Sequence, residues 1–493
     1  MIAVPPERVP ARLHPHDMAL GWLIPAAIGL LVTAGLLADA LWARGVSLRW
    51  AAPFLRGEAP PVLTIGASAI LAGGLLAMTV ARGWLPRREF ALIALLFVPT
   101  QLVGFNVANI EPLKFALLIV SAFWLVDALG NHRTVRLYVP QLLIWLVILA
   151  FAVASVVNGL LTSVIAQYSI LAKFLMFFIV ANIVRTPAQL LFAVRLLVGL
   201  GILSAILALI QVALHYFFDI ALSLEDNATR YWFKETPLGW MIRATALHPT
   251  AQNLSHFLLM ALALLMLGPF DPRTRLLGGL LMASGVFFTF TGNGLVVMAF
   301  LALAAPIVHR PQRTLHYLGA ATLSFLVAFQ TGALGWLYEH YLLPISGKSA
   351  EDRIGLLQTG LEVAERYPLL GIGLNNFGRM APQPVHNAYM QMVTEIGIIP
   401  GIALCTILLL TLVRLLVGLS STQDASMRQA GKGVFLALLG LSFHFLFEPF
   451  INSLVSWSII GFAEAAALLL CAPPTGAAPV RSWRLAPSGG RAP

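Results

Sequence analysis

The sequence predicts an all-α fold: a polytopic transmembrane helix bundle of about 12–14 spans with a long, partly helical loop on one side. Three observations predict it. The chain is 59% hydrophobic and only 11% charged, with a mean hydropathy of +0.85, whereas soluble domains average about 25% charged residues. Its apolar stretches are long enough to cross the hydrocarbon core as helices, which takes about 20 residues. They are also continuous, unlike the short alternating segments of a membrane β-barrel, the other fold that satisfies its backbone in lipid.

In chain order, spans are expected near 18–38, 61–80, 90–108, 112–129, 137–157, 164–183 and 188–218. They continue near 249–267, 274–290, 294–308, 315–337, 387–413, 432–448 and 451–471. The stretch 188–218 is too long for one straight span and is expected to continue along the membrane surface. A cytoplasmic tail, 1–17, precedes this membrane domain of 18–472, and a Pro/Gly/Ala-rich tail, 473–493, expected to be disordered, follows it.

The net charge of +10 lies mostly in short loops, an orientation signal rather than a nucleic-acid footprint. With the N-terminus inside, the cytoplasmic loops carry Arg82, Arg87, Arg88, Arg133, Arg136, Arg185, Arg273 and Arg275. Further along they carry Arg310, Arg313, Arg414, Arg428 and Lys432. The opposite turns near 109–111, 158–163, 291–293 and 449–451 carry none. Loop 39–60, with Arg44, Arg49 and Arg56, dissents, either as a surface-lying amphipathic segment or because the first two spans are differently bounded. Cys405 and Cys471 both lie in apolar segments and imply no disulfide framework.

Two outer loops, 219–248 and 338–386, are long, and loops of that length in compact proteins usually carry function or are disordered. The second has helical patterning at Ile354, Leu357, Leu361 and Ala364, followed by a turn-rich Pro368–Gly373 stretch, so it is expected to fold over the membrane face.

Titratable chemistry concentrates where this loop meets the next span. His386 follows Pro384, which is expected to open a helix, and a histidine in a first turn feels the positive dipole end that favours a neutral imidazole. It is therefore a candidate general base, with a capping role as the plain alternative. Tyr389 and Met390 are expected on nearly its face, with Asn387 beside it. Arg353, Arg243, Arg366 and Arg379 lie in the outer loops, and arginine's planar fork suits a lipid diphosphate. Taken singly, each reads more readily as a solvated or ion-paired residue; Glu351 and Asp352 adjoin Arg353.

Inside apolar segments stand Lys114, Asp127, Lys173, Arg195, His256, Glu395, His444 and Glu448. Such residues face cavities or partners. Lys173 is the deepest cation, and His444 and Glu448, four apart, are expected to pair on one helix face. There is no Walker motif, no Gly-rich dinucleotide loop, no His/Cys metal cluster and no Asp-x-Asp pair. A glycan-handling enzyme of this kind would need no cofactor and would use a lipid-linked donor without a metal.

On these residues the chain resembles the O-antigen ligase and polymerase superfamily of bacterial inner membranes. Arg243 with Pro249 and Asn253 is similar to its arginine-then-proline entry into a span, and Thr291-Gly292-Asn293-Gly294 to its Thr-Gly-Ser-Arg-Gly turn. Arg353 followed by Pro368–Phe377 resembles its periplasmic-loop signature. His386-Asn387-Ala388-Tyr389 through Glu395-Ile396-Gly397 resembles its most specific motif. The likeness covers roughly residues 240–415.

It implies a periplasmic active site and a donor glycan on undecaprenyl diphosphate, used in lipopolysaccharide or exopolysaccharide biosynthesis. The acceptor would be a glycan or another lipid-linked molecule, with membrane lipids and other polysaccharide-assembly proteins as further partners. Arg353 and His386 would be catalytic; Arg243, Asn387, Tyr389, Lys173 and Asn293 would serve the substrate. The family's turn usually carries an arginine where this chain has Asn293, so Arg243 or Lys173 would supply the charge, the donor would be held differently, or the site would be degenerate. The competing readings are a lipid-linked oligosaccharide flippase and an assembly protein that has lost activity.

Overall fold

The computed structural model describes residues 88–101, 112–130, 135–136, 138–158, 161–218, 233–236, 239–337, 339, 343–381 and 383–472. The two tails, the first two expected spans and loop 39–60 lie outside the described residues.

The architecture is an all-α polytopic membrane bundle. Its helices are α1 (Arg88–Phe97), α2 (Pro112–Gly130), α3 (Val139–Ala154), α4 (Leu161–Ile183) and α5 (Pro187–Phe218). After a hairpin of β1 (Phe233–Thr236) and β2 (Gly239–Ile242) come α6 (Ala251–Leu267), α7 (Pro272–Phe288), α8 (Gly292–His309), α9 (Thr314–Gln330) and α10 (Ala333–Leu337). The last are α11 (Leu343–Arg366), α12 (Ala388–Ile396), α13 (Ile398–Ser421), α14 (Ala425–His444) and α15 (Leu454–Leu470). Five helices among the described residues are long and apolar enough to cross a membrane, and shorter apolar helices pack among them.

α6, α14 and α15 form the centre, and each is buried over most of its length. α6 lies against α14, and α15 against α4. Close approach there depends on missing side chains: a Cβ on Gly461 of α15 would meet the Phe177 carbonyl oxygen of α4 at 2.7 Å. Small residues play this part in lipid, where apolar surface alone does not drive helices together.

The stretch 188–218 is one continuous helix, α5, of 32 residues. At 1.5 Å per residue it is about 48 Å long and overruns the hydrocarbon core, in line with its expected excess length. Three other expectations change. The span expected at 387–413 breaks at Gly397, where φ is +109°. The span expected at 432–448 ends as helix at His444. The loop at 219–248 contains an antiparallel hairpin, with Phe233 opposite Ile242, and its strand β1 lies beside α11.

The break at Gly397 explains two sequence motifs at once. Ile372 and Gly373 donate backbone N–H bonds to the carbonyls of Thr394 and Glu395 at 2.9 Å each, and Ile398 donates to the Pro368 carbonyl. The Pro368–Gly373 turn thus satisfies carbonyls that the end of α12 leaves open. A Cβ on Gly371 (φ +59°) would meet the Glu395 carbonyl carbon at 2.4 Å, and one on Gly397 would meet the Leu369 carbonyl oxygen at 1.9 Å. The glycines of both motifs are required because the motifs pack backbone to backbone.

α11 lies over one end of the bundle with a small core of its own. Leu356 and Val363 pack with Ile372, Phe377 and Val385, and Met390 of α12 closes that core from below.

Candidate functional site

The site is built on the end of α14. After His444 the chain tightens through turns to Glu448, and Pro449 prevents the helix from resuming. Carbonyls freed at a helix end form the negative pole of its dipole, and here donors from the neighbouring motifs meet them. Ala388 N–H donates to the Phe445 carbonyl at 2.8 Å, and Asn387 Nδ2 to that of Leu446 at 3.2 Å. Arg353 Nη1 donates to the Phe447 carbonyl at 3.0 Å.

Glu448 is the hub. Its carboxylate is buried at an already negative helix end, a costly position without cations. Arg353 Nη2 lies 3.0 Å from Oε1, Asn293 Nδ2 donates to the same oxygen at 2.5 Å, and His386 Nδ1 stands 3.3 Å from Oε2. Burial pushes the Glu448 carboxyl up, but the His386 hydrogen bond and the Arg353 charge outweigh it and hold the group below the ordinary 4.5.

Arg243 completes the set from the hairpin side. It is buried and donates Nε to the Thr289 carbonyl at 3.0 Å, on the turn that carries Asn293. Burial lowers it to about 10, partly offset by the negative charge of Glu448, so it remains a cation at neutral pH. Arg353 shares Glu448 Oε1 with Asn293, and Arg243 bonds the Thr289 carbonyl nearby. Lys173 instead bonds Asn452 Oδ1 at 2.7 Å, in the turn after Pro449.

Local contacts hold each signature residue in place. His386 precedes the helix instead of lying in its first turn; Asn387 is the N-cap of α12, its side chain accepting from Met390 N–H at 3.0 Å. Tyr389 donates its hydroxyl to the Ser442 carbonyl at 2.8 Å and thereby fastens α12 to α14. Arg353 pairs with Glu448, 95 residues away. His444 does not pair with Glu448 either. Its Nδ1 meets His256 Nδ1 at 3.2 Å, and His256 Nε2 meets Ser456 Oγ at 3.0 Å, a buried chain one turn beneath Glu448. Glu448 is the residue that sequence reasoning misassigned, and Pro449 was the available signal that the helix could not run on through it.

No protein-family model and no curated protein matches this chain. The chemistry therefore has to be read from the geometry. The tautomer that donates Nδ1–H to Glu448 leaves the His386 Nε2 lone pair directed outward, the histidine–carboxylate arrangement of acid–base sites. Among the described residues Nε2 meets only the Gln383 side chain, at 3.4 Å, a contact long enough to yield to a substrate hydroxyl. The buried Nε of Arg353 has no hydrogen-bond partner among the described residues. Among the described residues no three His, Cys, Asp or Glu side chains are grouped as metal ligands.

Proposed function

We propose that the protein is a membrane glycosyltransferase that polymerises or ligates undecaprenyl-diphosphate-linked glycan at the periplasmic face of a bacterial inner membrane. One observation carries the reading: Arg353, His386 and Asn293, from three separate segments, converge on the single buried carboxylate of Glu448. The resemblance of the surrounding motifs to O-antigen ligases and polymerases supports the same substrate class.

In this mechanism the acceptor hydroxyl oxygen attacks the anomeric carbon of the donor sugar while the bond from that carbon to the phosphate oxygen breaks. The hydroxyl proton passes to His386 Nε2, and Glu448 stabilises the imidazolium that forms. The lipid diphosphate leaves with the bonding electrons, and Arg353 and Arg243 offset its developing charge. Asn293 holds the Glu448 carboxylate from below the substrate. Asn387 and Tyr389 keep the segment bearing His386 against α14.

A lipid-linked oligosaccharide flippase is the second reading, favoured by the buried His256–His444 contact of 3.2 Å, a pair able to carry a proton in a transporter. His386→Ala and Arg353→Ala separate the two. Transferase variants accumulate lipid-linked repeat units accessible from the periplasm, flippase variants accumulate them on the cytoplasmic side, and an unchanged glycan sinks the catalytic assignment.

A further inference from the structure

α11 divides into three faces, and only two of them have an evident environment. Leu356, Val363 and Ala364 point into the protein. Gln358, Glu362, Glu365 and Arg366 form an exposed polar flank. Between them runs an exposed apolar stripe of Ile354, Leu357 and Leu361, which are 60%, 37% and 50% exposed. Spacings of three and four put these on one line of the helix.

At about 100° per residue, Arg353 falls on the edge of the buried face beside Ala364, roughly 40° round the helix from Leu357 of the stripe, so the stripe borders the side from which Arg353 reaches Glu448. Beyond the helix the exposed apolar surface continues through Tyr367 and Leu369. The backbone bond from Ile398 N–H to the Pro368 carbonyl then brings it to the start of α13, where Ile398, Ile399 and Ile402 are exposed. Leu409, Val413 and Leu416 carry it along α13, one of the helices long and apolar enough to span the membrane. Exposed apolar surface of this kind marks an interface, and here it extends to a helix long and apolar enough to span the membrane.

We propose that α11 is a membrane-surface helix whose Ile354–Leu357–Leu361 stripe is seated in bilayer lipid, so that the Glu448 cluster opens sideways toward the lipid phase beside Arg353. An amphipathic helix with one apolar and one charged side takes this position at the boundary between headgroups and acyl chains. The arrangement goes beyond the transferase reading and holds for a transporter equally: a lipid-borne substrate reaches Arg353 along the membrane, without first leaving it.

The test uses the full chain carrying Cys405→Ser and Cys471→Ser, reconstituted in nanodiscs of phosphatidylethanolamine and phosphatidylglycerol. Single spin labels are placed at Ile354→Cys, Leu357→Cys and Leu361→Cys, with Gln358→Cys and Glu362→Cys as controls. Each variant is first required to match the thermal unfolding of its parent. Collision with oxygen, which concentrates in lipid, is compared with collision with a water-soluble nickel chelate. The proposal expects the stripe labels to shift to oxygen over nickel and the Glu362 label to show the reverse. Nickel-dominated relaxation along the stripe overturns it, as does protection from both agents, which would mean a protein cover.

Discussion

Among the described residues two arginine–glutamate pairs join separate elements of the bundle, and they differ in their surroundings. Arg414 of α13 pairs with Glu464 of α15, its guanidinium 4.1 Å from the centroid of the Tyr138 ring, while Gln141 of α3 bonds Thr411 nearby at 2.6 Å. Arg414, Gln141 and Thr411 come from helices long enough to span, Glu464 comes from the shorter apolar helix α15, and the Glu464 side chain is fully buried. The Arg353–Glu448 pair instead joins residues outside the spanning helices, with Arg353 24% exposed, and it adds a histidine and an asparagine. The first is closed, a staple between helices. The second is partly exposed at Arg353 and His386 and gathers a histidine as well as an asparagine, the combination on which the proposed chemistry rests.

The largest expected effect tests the open pair. His386→Ala should lower glycan transfer by about 10²–10⁴-fold, the range of a lost general base, with the thermal unfolding temperature in detergent lowered only slightly because Arg353 and Asn293 still hold Glu448. Glu448→Gln should give a comparable loss of transfer and also destabilise, because Arg353 loses its buried counter-charge. If either variant retained parental glycan length, the two pairs would not differ in function.

Next comes the closed pair. Glu464→Ala strands Arg414 and should cost about 3–5 kcal/mol, read as a lower unfolding temperature, while transfer per folded molecule stays at the parental level. The double variant Arg414→Leu with Glu464→Leu should recover most of that loss, since apolar packing replaces buried ion pairs well. Asn387→Ala, which removes the α12 cap, should cost about 1 kcal/mol and lower activity modestly by loosening the His386 segment.

The smallest effect is in acid. Because Glu448 is held below 4.5 in the folded protein, its stabilisation is complete above that value and is lost as pH falls through the folded-state value. Unfolding temperature should therefore drop below about pH 4.5, and Glu448→Gln should flatten that part of the profile. An identical acid profile in the two proteins would show that the carboxylate is not held by its neighbours.

The spans were legible because hydropathy is a property of contiguous residues: α2 and α3 fall within a few residues of their expected bounds. Arg353, His386, Asn387 and Tyr389 were legible as chemistry-bearing types at the mouth of a span. The convergence on Glu448 was not, since its partners lie 62 to 155 residues away along the chain and only packing brings them together. His444 and Glu448 share a helical spacing that a continuous helix would have made meaningful, and the stop at His444 removes that meaning. The hairpin was missed because its strands are only four residues each, too short for a clear alternating pattern.

The interlock of Gly371 with the end of α12 has a practical corollary. Residues 352–397 form a cassette in which α11, the turn and α12 share backbone bonds, so α11 is not a flap that swings on a free hinge. Exchanging this segment between related chains should succeed when both glycines travel together. A cut between Leu369 and Gly397 would set a foreign side chain against a carbonyl that has no room to move.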